Sequence, residues 1–149
     1  MHGKFNDDKS GQILESKCKS CPEGYKNNET GKTFCDICLP GRFQDKELQI
    51  ACDKCPDNTY TDQTAQNECK DCTKKTRSDS GSTFCVKCTE GQYLSTTTRT
   101  CENCPAGYAS IYGKTKCDEC EAGKFANRAI NAITCSFCGA GKYGIPNSI

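Results

Sequence analysis

"CENCPAGYASIYGKTKCDEC", residues 101–120, begins and ends with a Cys-x-x-Cys pair. The same pair occurs eight times along the chain, uses all 16 cysteines, and recurs every 16 to 18 residues. The pairs are Cys18 and Cys21, Cys35 and Cys38, Cys52 and Cys55, Cys69 and Cys72, Cys85 and Cys88, Cys101 and Cys104, Cys117 and Cys120, and Cys135 and Cys138. A repeat this short cannot bury an apolar face alone, so the spacing predicts tandem repeats that contact their neighbours.

The rest of the composition supports a fold without a large apolar core. Only 34% of the 149 residues are hydrophobic, cysteine included, and there is no Trp. Such a chain is usually disordered, but a cysteine content above one in ten is typical of a crosslinked scaffold. We therefore expect a small disulfide-rich fold of turns and short β-strands, stacked into an elongated rod or solenoid with little or no helix. The one stretch with helix-like spacing is "NRAINAIT", 127–134.

A turn and an aromatic residue follow most pairs. The third residue after a pair is glycine or asparagine, which favour a positive φ: Gly24, Gly41, Asn58, Gly91, Gly107, Gly123 and Gly141. The aromatic residues that come next are Tyr25, Phe43, Tyr60, Tyr93, Tyr108, Phe125 and Tyr143. This pattern predicts a tight turn and then a short strand, whose aromatic side chain covers a disulfide.

The pattern also predicts the domain organisation. Residues 1–17 form an N-terminal tail, residues 18–138 hold eight units of about 17 residues, and residues 139–149 are a C-terminal tail or the start of another unit. A second glycine turn, as in "ETGKTFC", occurs in roughly alternate gaps, which favours four modules of two units each. Residues 73–84 lack the usual glycine and aromatic residue, so we expect a joint or bend there.

At this point the chain resembles a known family. The pattern Cys-x-x-Cys-Pro-x-Gly-Tyr, then Gly-x-Thr-x-Cys-x-x-Cys, resembles the ephrin-receptor-like and growth-factor-receptor-like (furin-like) cysteine-rich repeats over residues 18–143. Arrays of this kind occur in ciliate and other protist surface proteins, and they are looser relatives of tumour necrosis factor receptor repeats. The resemblance implies an extracellular or cell-surface location, but it does not imply a particular ligand.

Two disulfide schemes fit the spacing. The one we favour pairs cysteines inside two-unit modules: Cys18–Cys35, Cys21–Cys38, Cys52–Cys69, Cys55–Cys72, Cys85–Cys101, Cys88–Cys104, Cys117–Cys135 and Cys120–Cys138. The other is a running ladder of the type Cys21–Cys35, Cys38–Cys52, which leaves Cys18 and Cys138 unpaired. Two further readings stay open: a Cys₄ zinc-ribbon array in an intracellular protein, and a thioredoxin-type redox centre. We expect no cofactor, with zinc as the alternative.

Other chemistry is scarce in the sequence. The only histidine is His2, and the carboxylate pairs Asp7-Asp8 and Asp118-Glu119 are interpreted as solvated surface. The net charge of +1 has no basic block for nucleic acid, and no apolar run is long enough to enter a membrane. Residues 1–17 contain no apolar core of a signal peptide, so a secreted form would be processed or partial. We predict that the protein is not an enzyme.

Two functions remain as hypotheses. The first is a receptor-like ectodomain that recognises or adheres to another protein, and the second is a structural surface coat, antigen or filament component that self-associates. Asn28-Glu29-Thr30 is a candidate N-glycosylation site. Phe34 and Phe84 are expected beside the following cysteine, whereas Tyr112 and Phe137 are candidates for exposed contacts.

Overall fold

The computed structural model of the chain describes residues 3–6 and 18–144. These residues contain fourteen short β-strands and no helix, so 127–134 forms bends and irregular backbone instead of a helical turn. The strands are β1 (Lys4–Asn6), β2 (Cys18–Ser20), β3 (Tyr25–Lys26), β4 (Asp36–Ile37), β5 (Arg42–Phe43), β6 (Asp53–Lys54), β7 (Thr59–Tyr60), β8 (Lys70–Asp71), β9 (Gln92–Leu94), β10 (Cys101–Asn103), β11 (Tyr108–Ala109), β12 (Asp118–Glu119), β13 (Lys124–Ala126) and β14 (Cys135–Phe137).

Each repeat is an antiparallel hairpin of two consecutive strands. The first strand follows the turn after a cysteine pair, and the second strand leads into or lies within the next pair. In the first complete repeat Tyr25 lies opposite Ile37 and Lys26 lies opposite Asp36. Residues 73–84 carry only a single bridge, Arg77 to Val86, in place of a hairpin. A two-stranded hairpin is marginal by itself, so each repeat depends on its disulfide and its neighbours.

The disulfides form the running ladder and not the pairing that we favoured. They join Cys21–Cys35, Cys38–Cys52, Cys55–Cys69, Cys88–Cys101, Cys104–Cys117 and Cys120–Cys135. Cys72 and Cys85 are disulfide-bonded as well, and the two cysteines without a disulfide are Cys18 and Cys138.

Hairpin topology explains the corrected pairing. When β3 pairs with β4, the two ends of one gap come together, and the Cα atoms of Cys21 and Cys35 are 5.8 Å apart, a normal disulfide separation. Cys18 lies instead in β2, which pairs with β1 and therefore belongs to the hairpin that precedes β3–β4. The sequence spacing alone could not separate the two schemes because both close loops of similar length.

Every gap contains a second turn, whether or not it holds a second glycine. A residue with positive φ occupies that turn in each gap from 21 to 135: Gly31, Leu48, Ala65, Gly81, Arg99, Gly113 and Asn131. The two kinds of gap seen in the sequence therefore share one backbone conformation. Four of these residues are not glycine, and only Asn131 is of a type that commonly adopts this conformation.

Backbone hydrogen bonds join successive repeats among residues 21–85 and, separately, among residues 88–135. The amide of Gly24 donates to the Gln44 carbonyl at 2.8 Å, and the amide of Leu48 donates to the Cys21 carbonyl at 3.0 Å. Equivalent bonds recur further along the chain, from Gly41 to Thr61, from Ala65 to Cys38, from Gly91 to Ser110, and from Gly113 to Cys88. Because backbone groups make these bonds, successive repeats can differ widely in side chains and still contact each other in the same way.

The core consists of disulfides and small or polar side chains. The residue six positions after the second cysteine of a pair, which we call the inner position, is buried in six repeats: Asn27, Gln44, Thr61, Ser78, Leu94 and Ser110. Asn27 shows how a buried polar group is satisfied, since its Nδ2 donates to the Lys4 carbonyl at 2.5 Å and its Oδ1 accepts from the Glu29 amide at 2.9 Å. Leu94 is the one large apolar side chain at this position.

The chain divides into two compact units. Of the described residues, the first unit comprises 3–6, 18–71 and 78–85 and contains β1–β8, and the second comprises 72–77 and 86–144 and contains β9–β14. The division falls in residues 73–84, where the sequence lacks the usual glycine and aromatic residue. Within the tail predicted at 1–17, residues 3–6 are described and contain β1, which pairs with β2; the rest of that segment lies outside the described residues.

Candidate binding groove

The first compact unit carries an apolar groove of about 710 Å³. Residues of the β3–β4 and β5–β6 hairpins line it, and its apolar side chains are Phe34, Ile37, Leu39, Ile50 and Ala51. The four larger side chains are exposed by 59%, 39%, 60% and 53%, respectively. In a chain with so few apolar residues, four of them exposed around one groove form a candidate contact surface.

Two disulfides hold the groove in shape. Cys35 and Cys52 both line it, and their partners Cys21 and Cys38 are completely buried. Each of these crosslinks closes one hairpin, so the apolar side chains project from backbone segments that have little freedom to rearrange. A rigid groove loses little conformational entropy when a partner binds.

An ion-paired cluster borders the groove on the β3–β4 hairpin. The Asp36 carboxylate lies 2.7 Å from Lys32 Nζ and 3.8 Å from Lys26 Nζ, and Lys32 Nζ also lies 3.6 Å from Glu29. The hydrogen bond from Lys32 holds the pKa of Asp36 below its usual range, and the same bond raises the pKa of Lys32. Lys32 Nζ also stands 5.4 Å from the ring centre of Phe34, within cation–π range.

Arg42 is the groove cation for which the described residues supply no acidic partner. It lies in β5, is exposed, and donates from Nη1 to the Cys52 carbonyl at 2.9 Å. No carboxylate of the described residues comes within 4.0 Å of its guanidinium. Its position beside Leu39 and Ile50 combines a positive charge with apolar surface.

The candidate glycosylation site lies at the edge of the same groove. Asn28 is exposed and lines it, and its Oδ1 lies 3.5 Å from Lys26 Nζ. Glu29 and Thr30 are also exposed, so an enzyme can reach the whole sequon. A glycan on Asn28 would stand next to the apolar side chains.

The second compact unit has exposed aromatic residues but a smaller cavity. Tyr112 and Phe137 are exposed by 59% and 78%, and lysine Nζ atoms lie 5.7 and 5.1 Å from their ring centres. A cavity of about 450 Å³ is lined by Lys74, Ser95, Thr96 and Arg99. Arg99 Nη2 donates a hydrogen bond to the Cys72 carbonyl at 3.0 Å, so this cation already has a structural role.

The remaining predicted site residues are placed as follows. Asp118 and Glu119 form β12 and are exposed, and Asp118 pairs with Lys114 at 3.3 Å; His2, Asp7 and Asp8 lie outside the described residues. Within residues 3–6 and 18–144, no cluster of His, Cys, Asp and Glu side chains is arranged to hold a metal ion. The pairing into disulfides favours the crosslink interpretation over a zinc array, since zinc binds thiolate sulfur.

Comparison with known families agrees with the geometry of the first unit. Residues 27–72 match the family model described as tyrosine-protein kinase ephrin type A/B receptor-like. This segment is an ephrin-receptor-like cysteine-rich repeat region. It contains nearly all of the groove, and the ladder of disulfides fits the repeat pattern. No curated protein matches the chain in sequence.

The family match also bears on location. A receptor-like, disulfide-rich region indicates an extracellular or secreted setting, because disulfides form and persist in oxidising compartments. The described ranges hold no helix with the length and hydropathy needed to cross a bilayer.

Sequence reasoning missed most of the groove. Ile37, Leu39, Arg42 and Ile50 occupy positions that differ from repeat to repeat, so a search for the shared pattern passes over them. Phe34 was expected to pack beside Cys35; it does line the groove with that cysteine, but it remains largely exposed, as does Phe84. A local signal did exist, because residues 34–50 hold an unusual share of the large aliphatic residues.

Proposed function

We propose that the chain forms part of an extracellular, non-enzymatic, receptor-like ectodomain that recognises a partner protein through the groove. The observation that carries this proposal is the exposure of Phe34, Ile37, Leu39 and Ile50 around one groove that two disulfides make rigid. Protein contact sites combine an apolar centre with a polar rim, and Lys26, Asp36 and Arg42 supply such a rim.

The groove is suited to binding and offers no catalytic machinery. Its polar groups are two cations, one ion-paired carboxylate and an asparagine, and no histidine or free thiol is among the described residues that line it. A nucleophile there would lack a neighbouring base of suitable pKa. The family resemblance supports the same conclusion, since the matched family model is described as ephrin-receptor-like.

A peptide library displayed on phage tests the proposal. The immobilised, disulfide-bonded chain is used for selection, and enriched peptides are then tested on a groove variant, Leu39→Ser with Ile50→Ser. A matched control, Ile111→Ser with Ile130→Ser, removes two equally exposed aliphatic side chains from the second unit. We expect enriched peptides to bind the wild type and the control variant but not the groove variant.

Two results would contradict recognition through the groove. One is a selection that enriches no peptide above an unrelated disulfide-rich protein. The other is a set of enriched peptides that bind the groove variant as well as they bind the wild type. Non-reducing mass analysis and proton NMR dispersion of both variants show that each keeps its disulfides and fold, so that loss of binding reports on the groove.

A structural role as a coat or filament component is the second candidate. The regular backbone hydrogen bonds between successive repeats favour it, because the same surfaces can in principle join repeats of different molecules. Sedimentation velocity over a wide concentration range separates the two candidates. The recognition proposal expects a monomer throughout, whereas a coat component forms larger assemblies as its concentration rises.

A further inference from the structure

We infer that the segment bound in the groove is an acidic, apolar peptide whose carboxylate pairs with Arg42. This inference rests on the proposed function and specifies the chemistry of the partner. Three observations support it: the charges around the groove, the ion pairs that most of these charges already form, and the apolar surface beside Arg42.

The groove has an unbalanced positive charge. Lys26 and Lys32 share the carboxylate of Asp36, and Lys32 also faces Glu29, so these four groups compensate one another. Among the described residues, Arg42 has only the Cys52 carbonyl as an acceptor. A guanidinium has five N–H donors in a planar fork, so the donors left over are suited to a carboxylate bound through two hydrogen bonds.

The surroundings of Arg42 favour an ion pair that forms on binding. Leu39 and Ile50 line the groove with it, and an apolar partner that covers them excludes water from the guanidinium. Arginine tolerates such a site better than lysine because its delocalised charge is weakly hydrated. An uncharged partner would desolvate Arg42 without replacing the lost hydration, so selectivity for a carboxylate follows.

A fatty acid also combines a carboxylate with an apolar chain, but the polar part of the rim favours a peptide. Lys26, Asn28 and Asp36 also line the groove, and peptide amides and carbonyls can form hydrogen bonds with them. An alkyl chain would cover the same groups without offering any partner. A polar group that is buried without a hydrogen-bond partner is unfavourable, which argues against the alkyl chain as occupant.

Sequencing the phage selected on three proteins tests the inference. The proteins are the wild type, Arg42→Gln, and the control Arg128→Gln, which removes an exposed arginine from the second unit. We expect Asp and Glu to be enriched in peptides selected on the wild type and on the control, and not in those selected on Arg42→Gln. Replacing the acidic residue of an enriched peptide by its amide should weaken binding at least about tenfold.

Each outcome has a definite meaning. Apolar peptides that lack acidic residues, and that still require Leu39 and Ile50, would overturn the carboxylate inference and leave the proposed function in place. Equal acidic enrichment on Arg42→Gln would also overturn it. No groove-dependent peptide at all would contradict both proposals. Binding of dodecanoate that is lost in the variant with Leu39→Ser and Ile50→Ser, without any enriched peptide, would identify a fatty-acid site instead.

Discussion

The carbonyl oxygen of Ala65 lies over Gly24, in the space where any other residue would carry its Cβ. The two residues belong to repeats that are two apart, so the repeat that contains Gly24 contacts its second neighbour as well as its first. The same relationship joins Leu48 to Gly3, Gly81 to Gly41, and Asn131 to Gly91. At these four positions, Gly3, Gly24, Gly41 and Gly91, glycine is therefore required for close approach as well as for its positive φ.

Two alanine substitutions in the second unit separate these two requirements. Gly91 and Gly123 have φ values of 76° and 79°, but only Gly91 is covered by a carbonyl, that of Asn131, among the described residues. We expect Gly123→Ala to cost about 1–2 kcal/mol from backbone strain. Gly91→Ala should cost clearly more, because the Asn131 turn must also move. Denaturant unfolding of both variants measures the difference, and equal losses would contradict the role assigned to the carbonyl.

The disulfide ladder predicts different effects for paired and unpaired cysteines. Cys55 and Cys69 close a loop with a sequence separation of 14, so replacing both by serine should destabilise the first unit by about 3 kcal/mol. Replacing Cys18 and Cys138, which have no disulfide, should change stability little. Thermal unfolding measures both effects.

Alkylation of the native chain provides an independent check on the ladder. Iodoacetamide without reductant should label Cys18 and Cys138 and leave the other cysteines unlabelled. Peptide mapping should then recover Cys21 linked to Cys35 and Cys38 linked to Cys52. Recovery of Cys18 linked to Cys35 would instead support the pairing within two-unit modules.

The repeat and its first turn could be predicted from the sequence because cysteine, glycine and asparagine have few structural roles in such a pattern. Cysteine spacing indicated crosslinked repeats, and Gly24 and Asn58 marked positions of positive φ. The second turn was not accessible in every gap. Leu48 and Ala65 adopt a positive φ because neighbouring repeats impose it, and nothing in a leucine or an alanine signals that conformation.

Neither the groove nor the pairing of the cysteines could be predicted from the sequence, for a related reason. Both depend on which strands pair, and strands of two residues leave almost no periodic signal. Once β3 pairs with β4, Cys35 meets Cys21, and Phe34 and Ile37 come to the groove. Three-dimensional contact therefore decided these features, whereas the spacing of cysteines along the chain left them open.

Asn27 provides a test of the polar core. Its side chain is completely buried and bonds both the Lys4 carbonyl and the Glu29 amide, so it joins the first hairpin to the next repeat. Asn27→Leu keeps the volume and leaves both backbone groups without their partner, which should cost about 2–4 kcal/mol. Asn28→Leu is the matched control at an exposed position and should have little effect. Urea unfolding gives both values, and a stable Asn27→Leu variant would contradict the role of these hydrogen bonds.

The Lys32–Asp36 pair predicts a stability difference that depends on pH. The hydrogen bond from Lys32 lowers the pKa of Asp36, so its contribution is present above the unfolded-state pKa, about 4, and is lost as the pH falls through the lower folded value. Thermal unfolding of the wild type and Asp36→Asn should show the wild type slightly more stable at pH 6. The difference should disappear near pH 2, and a difference that persists there would contradict an ion-pair origin.

The position of Asn28 predicts that glycosylation blocks the groove. The asparagine lines the groove beside Phe34 and Asp36, so a glycan attached to it occupies space that a bound peptide needs. When the chain is secreted from a eukaryotic cell, we expect one N-glycan, which peptide mapping places at Asn28. Groove-binding peptides should bind this form more weakly than the form treated with a glycosidase.

Two variants distinguish the effect of the glycan on peptide binding from the effect of the asparagine side chain. Asn28→Gln removes both the glycan and the native side chain, whereas Thr30→Ala removes only the sequon and keeps Asn28. Both variants, secreted from the same cells, should bind peptide as well as the deglycosylated wild type does, as measured by fluorescence anisotropy. If the glycosylated wild type binds equally well, the glycan points away from the groove and leaves it open to a partner outside the cell. If Thr30→Ala restores binding and Asn28→Gln does not, the Asn28 side chain itself contacts the peptide.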